Sequence, residues 1–266
     1  MTARPTILVI GNGMVGHRFV EEAVANGLAA SRRLVVVGEE RLRAYDRVHL
    51  SSLFDGLDAN DLLLGDGAVY DHPGVELTLG DAVVALDPLG STATTASGRI
   101  IEFESCVLAT GSAPFVPPIP GVDAAGAFVY RTTEDLDAIR AWASGCRSGV
   151  VVGGGLLGLE AANALRLLGL ETSVVEFAPR LMAVQLDDGG GRALRRHVTD
   201  LGISVRTGAA AAAVRTTPDG RVAGLSFAEG ADLDAELVVF AAGIRPRDQL
   251  ARDAGLAVGE RGGVSV

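Results

Sequence analysis

The stretch Thr6-Ile7-Leu8-Val9-Ile10-Gly11-Asn12-Gly13-Met14-Val15-Gly16 decides the reading of this chain. An apolar run breaks at a G-x-G-x-x-G turn, and a helix-compatible segment, Met14–Ala25, follows. A parallel strand buried on both faces has this apolar character. Gly11 permits the tight turn, Gly13 lets a pyrophosphate approach the backbone, and Gly16 lets helix and strand pack closely. The helix start offers free N–H groups and a favourable dipole to phosphates. A glycine triplet alone is weak evidence. Here a strand precedes it, a helix follows, and a second strand, Leu34–Val37, leads to the acidic Glu39, so the context predicts dinucleotide binding.

The same pattern returns. Gly149-Val150-Val151-Val152-Gly153-Gly154-Gly155-Leu156-Leu157-Gly158 is a second strand, turn and helix start, with Gly153, Gly155 and Gly158 in the fingerprint positions. The helix is expected to end near Leu168, with Gly169 as its cap, and the strand Thr172–Val175 then runs into Glu176. An internal repeat decides architecture. Two such units imply two dinucleotides, or one ligand and a decayed copy.

Length and composition set the limits around these loops. A chain of 266 residues holds one large or two ordinary α/β domains with an ample core. With 48% hydrophobic and 21% charged residues it has the profile of a soluble globular enzyme. A net charge of -10 and 5% aromatics argue against a nucleic-acid surface. No apolar run approaches the ~18 residues of a membrane span, and the N-terminus reads as a strand rather than a signal peptide. The expected location is cytoplasmic. Every cationic side chain beyond histidine is arginine, which excludes a lysine-bearing Walker loop and Schiff-base chemistry. Cys106 and Cys146 form no dithiol motif and read as inert thiols. His17, His49, His72 and His197 lack metal-ligand spacing, so no metal site is expected, and no G-x-S-x-G elbow occurs.

Between the loops, Arg41–Phe54 reads as a polar loop leading into a short helix. Val75–Leu79 reads as a strand, and Asp81–Asp87, Ser91–Ala96 and Arg99–Phe103 as a small antiparallel meander with Gly and Pro turns. Ser105–Gly111 reads as a buried strand ending in a glycine turn. The proline-rich Pro114–Pro120 is a stiff, extended domain crossing. Thr132–Ala143 reads as a helix with Thr132 or Thr133 as N-cap and acidic residues at its positive end. Further on, Asp187–Leu201 is an expected helix, four strands follow between Ile203 and Ala241, and Ala241-Ala242-Gly243 echoes Ala109-Thr110-Gly111.

The two fingerprints, the meander between them and the paired Ala-Thr-Gly and Ala-Ala-Gly strand endings resemble the two-dinucleotide flavoproteins. That family includes the pyridine nucleotide–disulfide reductases and NADH-dependent ferredoxin reductases. The resemblance implies an α/β fold of two Rossmann-like domains, the NAD domain inserted into an FAD domain that carries the meander. The FAD domain would comprise 1–118 and 241–266, and the NAD domain 119–240. Gly11–Phe19, Ala44–Ser52 and Phe177–Asp187 with its glycine trailer are similar, more narrowly, to the large subunits of NAD(P)H-dependent assimilatory nitrite reductases. Ferredoxin-reductase relatives carry a Pro-Pro-Leu-Ser-Lys run where this chain has Val48–Ser52, which favours the nitrite reductase branch.

Carried over by resemblance, Gly11, Gly13, Met14 and Gly16 would hold the FAD pyrophosphate and Glu39 the adenosine ribose. The spacing of 28 between Gly11 and Glu39 exceeds the usual ~20. Arg47 would pair with the FAD phosphates and Val83 would meet the adenine by its main chain. Thr110 and Gly111 would pack by the cofactor, with Arg131 near the flavin edge. Gly153, Gly155, Leu156 and Gly158 would take the NAD pyrophosphate. Glu176 would accept both ribose hydroxyls and repel a 2′-phosphate, favouring NADH over NADPH, with nearby Arg180 as the opposing signal. Glu160 would lie near the nicotinamide, and Gly243 and Arg245 on the same side. No residue is nominated as the catalytic group, because hydride transfer requires no acid or base.

The activity implied is NADH-to-FAD hydride transfer that feeds iron–sulfur and sirohaem centres for nitrite reduction to ammonium. Two cysteines cannot ligate such clusters, so these centres belong to downstream domains or to a partner, such as a redox partner domain or the small nitrite reductase subunit. The family pattern continues past Val266 with a return strand and an interface domain, so the chain is expected to be a piece of a longer flavoprotein, with a homodimer as one arrangement of the full-length protein. A free-standing ferredoxin or rubredoxin reductase and a nucleotide-binding fragment without turnover remain open.

Overall fold

The computed structural model describes residues 4–266. The opening apolar run is strand β1 (Thr6–Ile10), buried from Ile7 to Ile10. It is followed by α1 (Met14–Ala25), a short helix α2 (Leu28–Ser31) and β2 (Arg33–Gly38). Next come β3 (Val75–Leu79), the strands β4 (Val83–Asp87), β5 (Thr92–Thr95) and β6 (Ile100–Glu102), and β7 (Ser105–Leu108). The chain continues through β8 (Ser112–Pro114), β9 (Ala127–Val129), α3 (Thr133–Ala143), β10 (Ser148–Val152), α4 (Leu156–Leu167) and β11 (Glu171–Glu176). It then forms α5 (Asp188–Asp200), β12 (Ser204–Thr207), β13 (Ala211–Thr216), β14 (Val222–Phe227), β15 (Leu233–Asp234), β16 (Leu237–Phe240), β17 (Ile244–Pro246) and α6 (Gln249–Asp253).

The chain divides into two compact units. One contains the residues through Val48, Asp58–Ala113 and Arg245–Val266. Its parallel sheet has the order β3-β2-β1-β7, and β4, β5 and β6 form the antiparallel meander. Strand β3 joins the parallel sheet through its pairing with β2. The second unit contains His49–Leu57 and Pro114–Ile244, with a parallel sheet in the order β12-β11-β10-β16-β9 and the small antiparallel sheet β13-β14-β15.

This division differs from the expected 1–118 with 241–266 and 119–240. The outward crossing lies after Ala113, ahead of the whole proline run, and the return lies after Ile244. Unexpectedly, His49–Leu57 belongs to the second unit. Packing explains it: Arg140 donates to the Leu53 carbonyl at 2.6 Å, and the Phe54 ring lies stacked on Tyr130 at 6.4 Å.

Local signals set the helices. In both α1 and α4 the N-cap is a fingerprint glycine with no side-chain cap. Helix α3 instead has a full capping box: Thr132 accepts from the Asp135 amide at 3.1 Å, and Asp135 accepts from the Thr132 amide at 2.9 Å. Replacing Thr132 with alanine is expected to lower stability by about 1 kcal/mol. In urea unfolding this should appear as a lower midpoint at unchanged slope.

Candidate functional site

The two units present the same glycine turn twice, with matching backbone hydrogen bonds at its first glycine and at the neighbouring strand end. The Gly11 amide donates to Val37 O at 2.8 Å, and the Gly153 amide donates to Val175 O at 2.8 Å. The Ala109 amide donates to Ile10 O and the Ala241 amide to Val152 O, each at 2.8 Å. Gly11 and Gly153 adopt φ of +110° and +121°, a region that L side chains rarely occupy. A Cβ at Gly11 would overlap the Ala109 carbonyl, and one at Gly153 the Ala241 carbonyl. Likewise, a Cβ on Gly16 would strike the Gly11 carbonyl, and one on Gly158 the Gly153 carbonyl. By contrast, a Cβ on Gly13 or Gly155 would meet nothing within 4 Å. Each loop therefore presents an open approach at an uncapped helix N-terminus, a fit for an anionic pyrophosphate.

In the first unit the expected ligand-facing residues other than Arg47 follow C-terminal strand ends of one sheet. The glycine loop with Met14 follows β1, Glu39 follows β2, Val83 follows β3 after a short turn, and Thr110 and Gly111 follow β7. In open α/β sheets, ligands sit beyond this edge where the strand order reverses, here between β1 and β7. Glu39 is held in a bidentate ion pair by Arg247. Arg247 is itself fixed, since its amide donates to Gly111 O at 3.0 Å and its carbonyl accepts from Thr110 Oγ1 at 2.7 Å. Arg47 pairs with Glu40 and lies 4.7 Å over the Tyr45 ring. Tyr45 donates to Glu40 at 2.7 Å.

The long spacing before Glu39 has a structural cause. In register, Val37 corresponds to Val175, so Gly38 stands where Glu176 stands in the second unit. Helix α2, of 4 residues, has no counterpart in the second unit and lengthens the interval from Gly11 by the same amount. Glu39 is thus one residue beyond the position of Glu176.

In the second unit, Glu176 ends β11 and accepts from the Gly154 amide and, at 2.6 Å, from the Ala178 amide. Arg180 is committed to the Leu186 carbonyl at 2.8 Å, the Ala183 carbonyl at 3.2 Å and Asp188 at 2.9 Å. Leu156 opens α4, and Glu160 lies one turn further along it. Burial pushes the Glu160 carboxyl up, with His49 opposing. Tyr130 is 1% exposed, its hydroxyl has no partner, and burial followed by the Glu160 charge pushes its phenol up. Gly243 follows β16 in an open position. Arg131 follows β9, which places it in the second unit, where its amide donates to Asp135 at 3.0 Å.

Cys106 and Cys146 are unpaired, and burial pushes the Cys106 thiol up to about 11, far from a reactive thiolate. Among the described residues, no group of three or more His, Cys, Asp or Glu side chains could hold a metal ion, and no helix is long and apolar enough to cross a membrane.

Sequence reasoning missed three participants: Arg247 on Glu39, Tyr130 beside Glu160, and a buried polar chain behind Asn12. No local motif marks any of them.

Two sheets of this design, each with an uncapped glycine loop at its strand-order reversal, define a two-dinucleotide α/β oxidoreductase fold. The chain belongs to the pyridine nucleotide-disulphide oxidoreductase family, whose model matches residues 5–266; these are NAD(P)H-dependent flavin oxidoreductases. It is 50% identical to the nitrite reductase [NAD(P)H] large subunit of Klebsiella oxytoca, covering 99% of this chain and 27% of that protein. It is 44% identical to the nitrite reductase (NADH) large subunit of Escherichia coli strain K12, covering 98% of this chain and 31% of that protein. The chain thus spans less than a third of the length of these two relatives. A ferredoxin reductase crystal structure from Rhodopseudomonas palustris is similar, with a TM-score of 0.87 and 30% identity over 96% of this chain and 63% of that one.

Proposed function

We propose that the first loop binds FAD, the second binds NADH, and the chain is the nicotinamide-oxidising part of a nitrite reductase. The observation that carries this is the doubled glycine loop in a chain half identical to a nitrite reductase large subunit. FAD, when bound, accepts a hydride from the nicotinamide and releases electrons singly, which nicotinamide cannot do.

The residues have binding and orienting tasks. Gly11, Gly13, Met14 and Gly16 hold the FAD pyrophosphate on the start of α1, and Gly153, Gly155, Leu156 and Gly158 do so for NADH on α4. Glu39 takes the FAD ribose in exchange for Arg247. That exchange is inexpensive, since an exposed ion pair contributes ~0–1 kcal/mol. Arg47, Val83, Thr110 and Gly111 line the FAD edge. Glu176 takes the NADH ribose, and its charge disfavours a 2′-phosphate. Arg180, with its three existing partners, is not free to compensate. Glu160, whose carboxyl burial pushes up, would sit toward the nicotinamide with Gly243.

Iron–sulfur and sirohaem centres lie on other domains or a small subunit, and the full-length protein is a candidate homodimer. A cytoplasmic location accords with a nicotinamide substrate and unpaired cysteines. Electron delivery to a ferredoxin is the second reading, favoured by the ferredoxin reductase structure.

The test is direct. The purified chain, supplied with FAD, should show a flavin spectrum that NADH bleaches and ferricyanide restores. A colourless chain that stays inactive with added FAD would overturn the assignment.

A further inference from the structure

The two loops differ at their middle residue, and the difference is reciprocal. The first has Asn12 opposite Gly38, and the second has Gly154 opposite Glu176. A Cβ on Gly38 would come within 3.0 Å of the Asn12 Cβ. A Cβ on Gly154 would come within 2.9 Å of the Glu176 Cβ and 2.7 Å of Leu181. One polar side chain fits at the strand end in each loop: Glu176, from the strand, in the second, and Asn12, from the loop itself, in the first.

Asn12 is held from behind. Tyr70 donates its hydroxyl proton to Asn12 Oδ1 at 2.6 Å, and its oxygen lies 2.7 Å from His17 Nδ1. Since the Tyr70 proton is spent on Asn12, His17 Nδ1 is the donor to Tyr70. His17 is 4% exposed, and its Nε2 lies 3.4 Å from Glu21. Burial pushes the Tyr70 phenol up to about 12, so it keeps its donor proton at physiological pH. With Oδ1 accepting from Tyr70, Nδ2 is left buried without a partner. Buried amide donors are paired in native proteins in all but a few cases.

We propose that Asn12 Nδ2 is a hydrogen-bond donor to the adenosine diphosphate part of the FAD held by the first loop, with Tyr70 as its positioning residue. This rests on the assignment of FAD to that loop. Asn12 and Glu176 are then the polar groups that fill the strand-end position in the two loops, a neutral donor in the first and a charged acceptor in the second.

The experiment titrates the full chain with FAD, with ADP and with NADH, following fluorescence or heat. Asn12→Asp keeps the oxygen that accepts from Tyr70 but turns the Nδ2 donor into an acceptor, and should weaken FAD about tenfold or more. Tyr70→Phe frees the amide to rotate and should weaken FAD by about fivefold. ADP should lose affinity in parallel, and the NADH Kd should stay within about twofold. A purely structural role would instead lower the melting temperature of both variants while leaving their FAD Kd within about twofold of the parent; that result overturns the proposal. Loss for FAD without loss for ADP would overturn the placement at the adenosine end. A parent chain that takes up no FAD would overturn the underlying assignment rather than this contact alone.

Discussion

Gly158→Ala is expected to weaken NADH binding by about ten- to a hundredfold while leaving flavin uptake intact, and Gly16→Ala to do the reverse. At each site the new methyl points into a backbone carbonyl of its own loop, Gly153 O or Gly11 O. A carbonyl in a tight turn cannot rotate away as a side-chain tip can. Forcing extra volume into a packed site costs roughly 1–3 kcal/mol. The helix must also withdraw from the strand, which carries its amides away from the phosphates. Because the loops lie in separate units, the effects should separate. Two titrations per variant, one with FAD and one with NADH, check the pairing; parallel loss of both ligands in either variant would count against two independent loops.

Glu176→Ala is expected to raise the NADH Kd by about ten- to a hundredfold, since hydrogen bonds to charged groups contribute ~1.5–3 kcal/mol each. It removes the acceptor that serves the Gly154 and Ala178 amides and, in the role proposed above, the ribose. NADPH should lose far less, because the deleted charge no longer opposes a 2′-phosphate, so the NADH preference should narrow at least about tenfold. Glu176→Gln separates the causes. It deletes the charge and keeps one acceptor oxygen, while its NH2 meets the second of the two amides that Oε2 and Oε1 now serve. NADPH should therefore gain on NADH, and stability should fall by the loss of one backbone contact. An unchanged NADH-to-NADPH ratio in both variants would remove Glu176 from the role proposed for it.

Much of this architecture could be read from the residues alone because its signals are local. Apolar runs ending in spaced glycines foretold β1, α1, β10 and α4, and Thr132 with its acidic neighbours foretold α3. What escaped depends on residues far apart in the chain. The Arg247–Glu39 pair spans 208 positions and the Tyr70–Asn12 bond 58, and neither has a sequence period or motif. The spacing anomaly at Glu39 was visible, but its cause, the four-residue helix α2, was not, because Leu28-Ala29-Ala30-Ser31 is too short to show a helical repeat. The polar segment Arg41–Phe54 read as a loop leading into a short helix, and a 3-10 helix does run over Arg47–Phe54. The membership of His49–Leu57 in the second unit follows from Phe54 meeting Tyr130, a contact that alternation and composition do not encode.

That segment limits how the molecule can be taken apart. The polypeptide passes between the units four times, after Val48, Leu57, Ala113 and Ile244. Excising 114–244 would leave the stacking partner of Tyr130 and the carbonyl acceptor of Arg140 behind on the other piece. Neither nucleotide-binding half can therefore be cloned whole as one contiguous stretch. Gene dissection would have to carry residues 49–57 across as a graft.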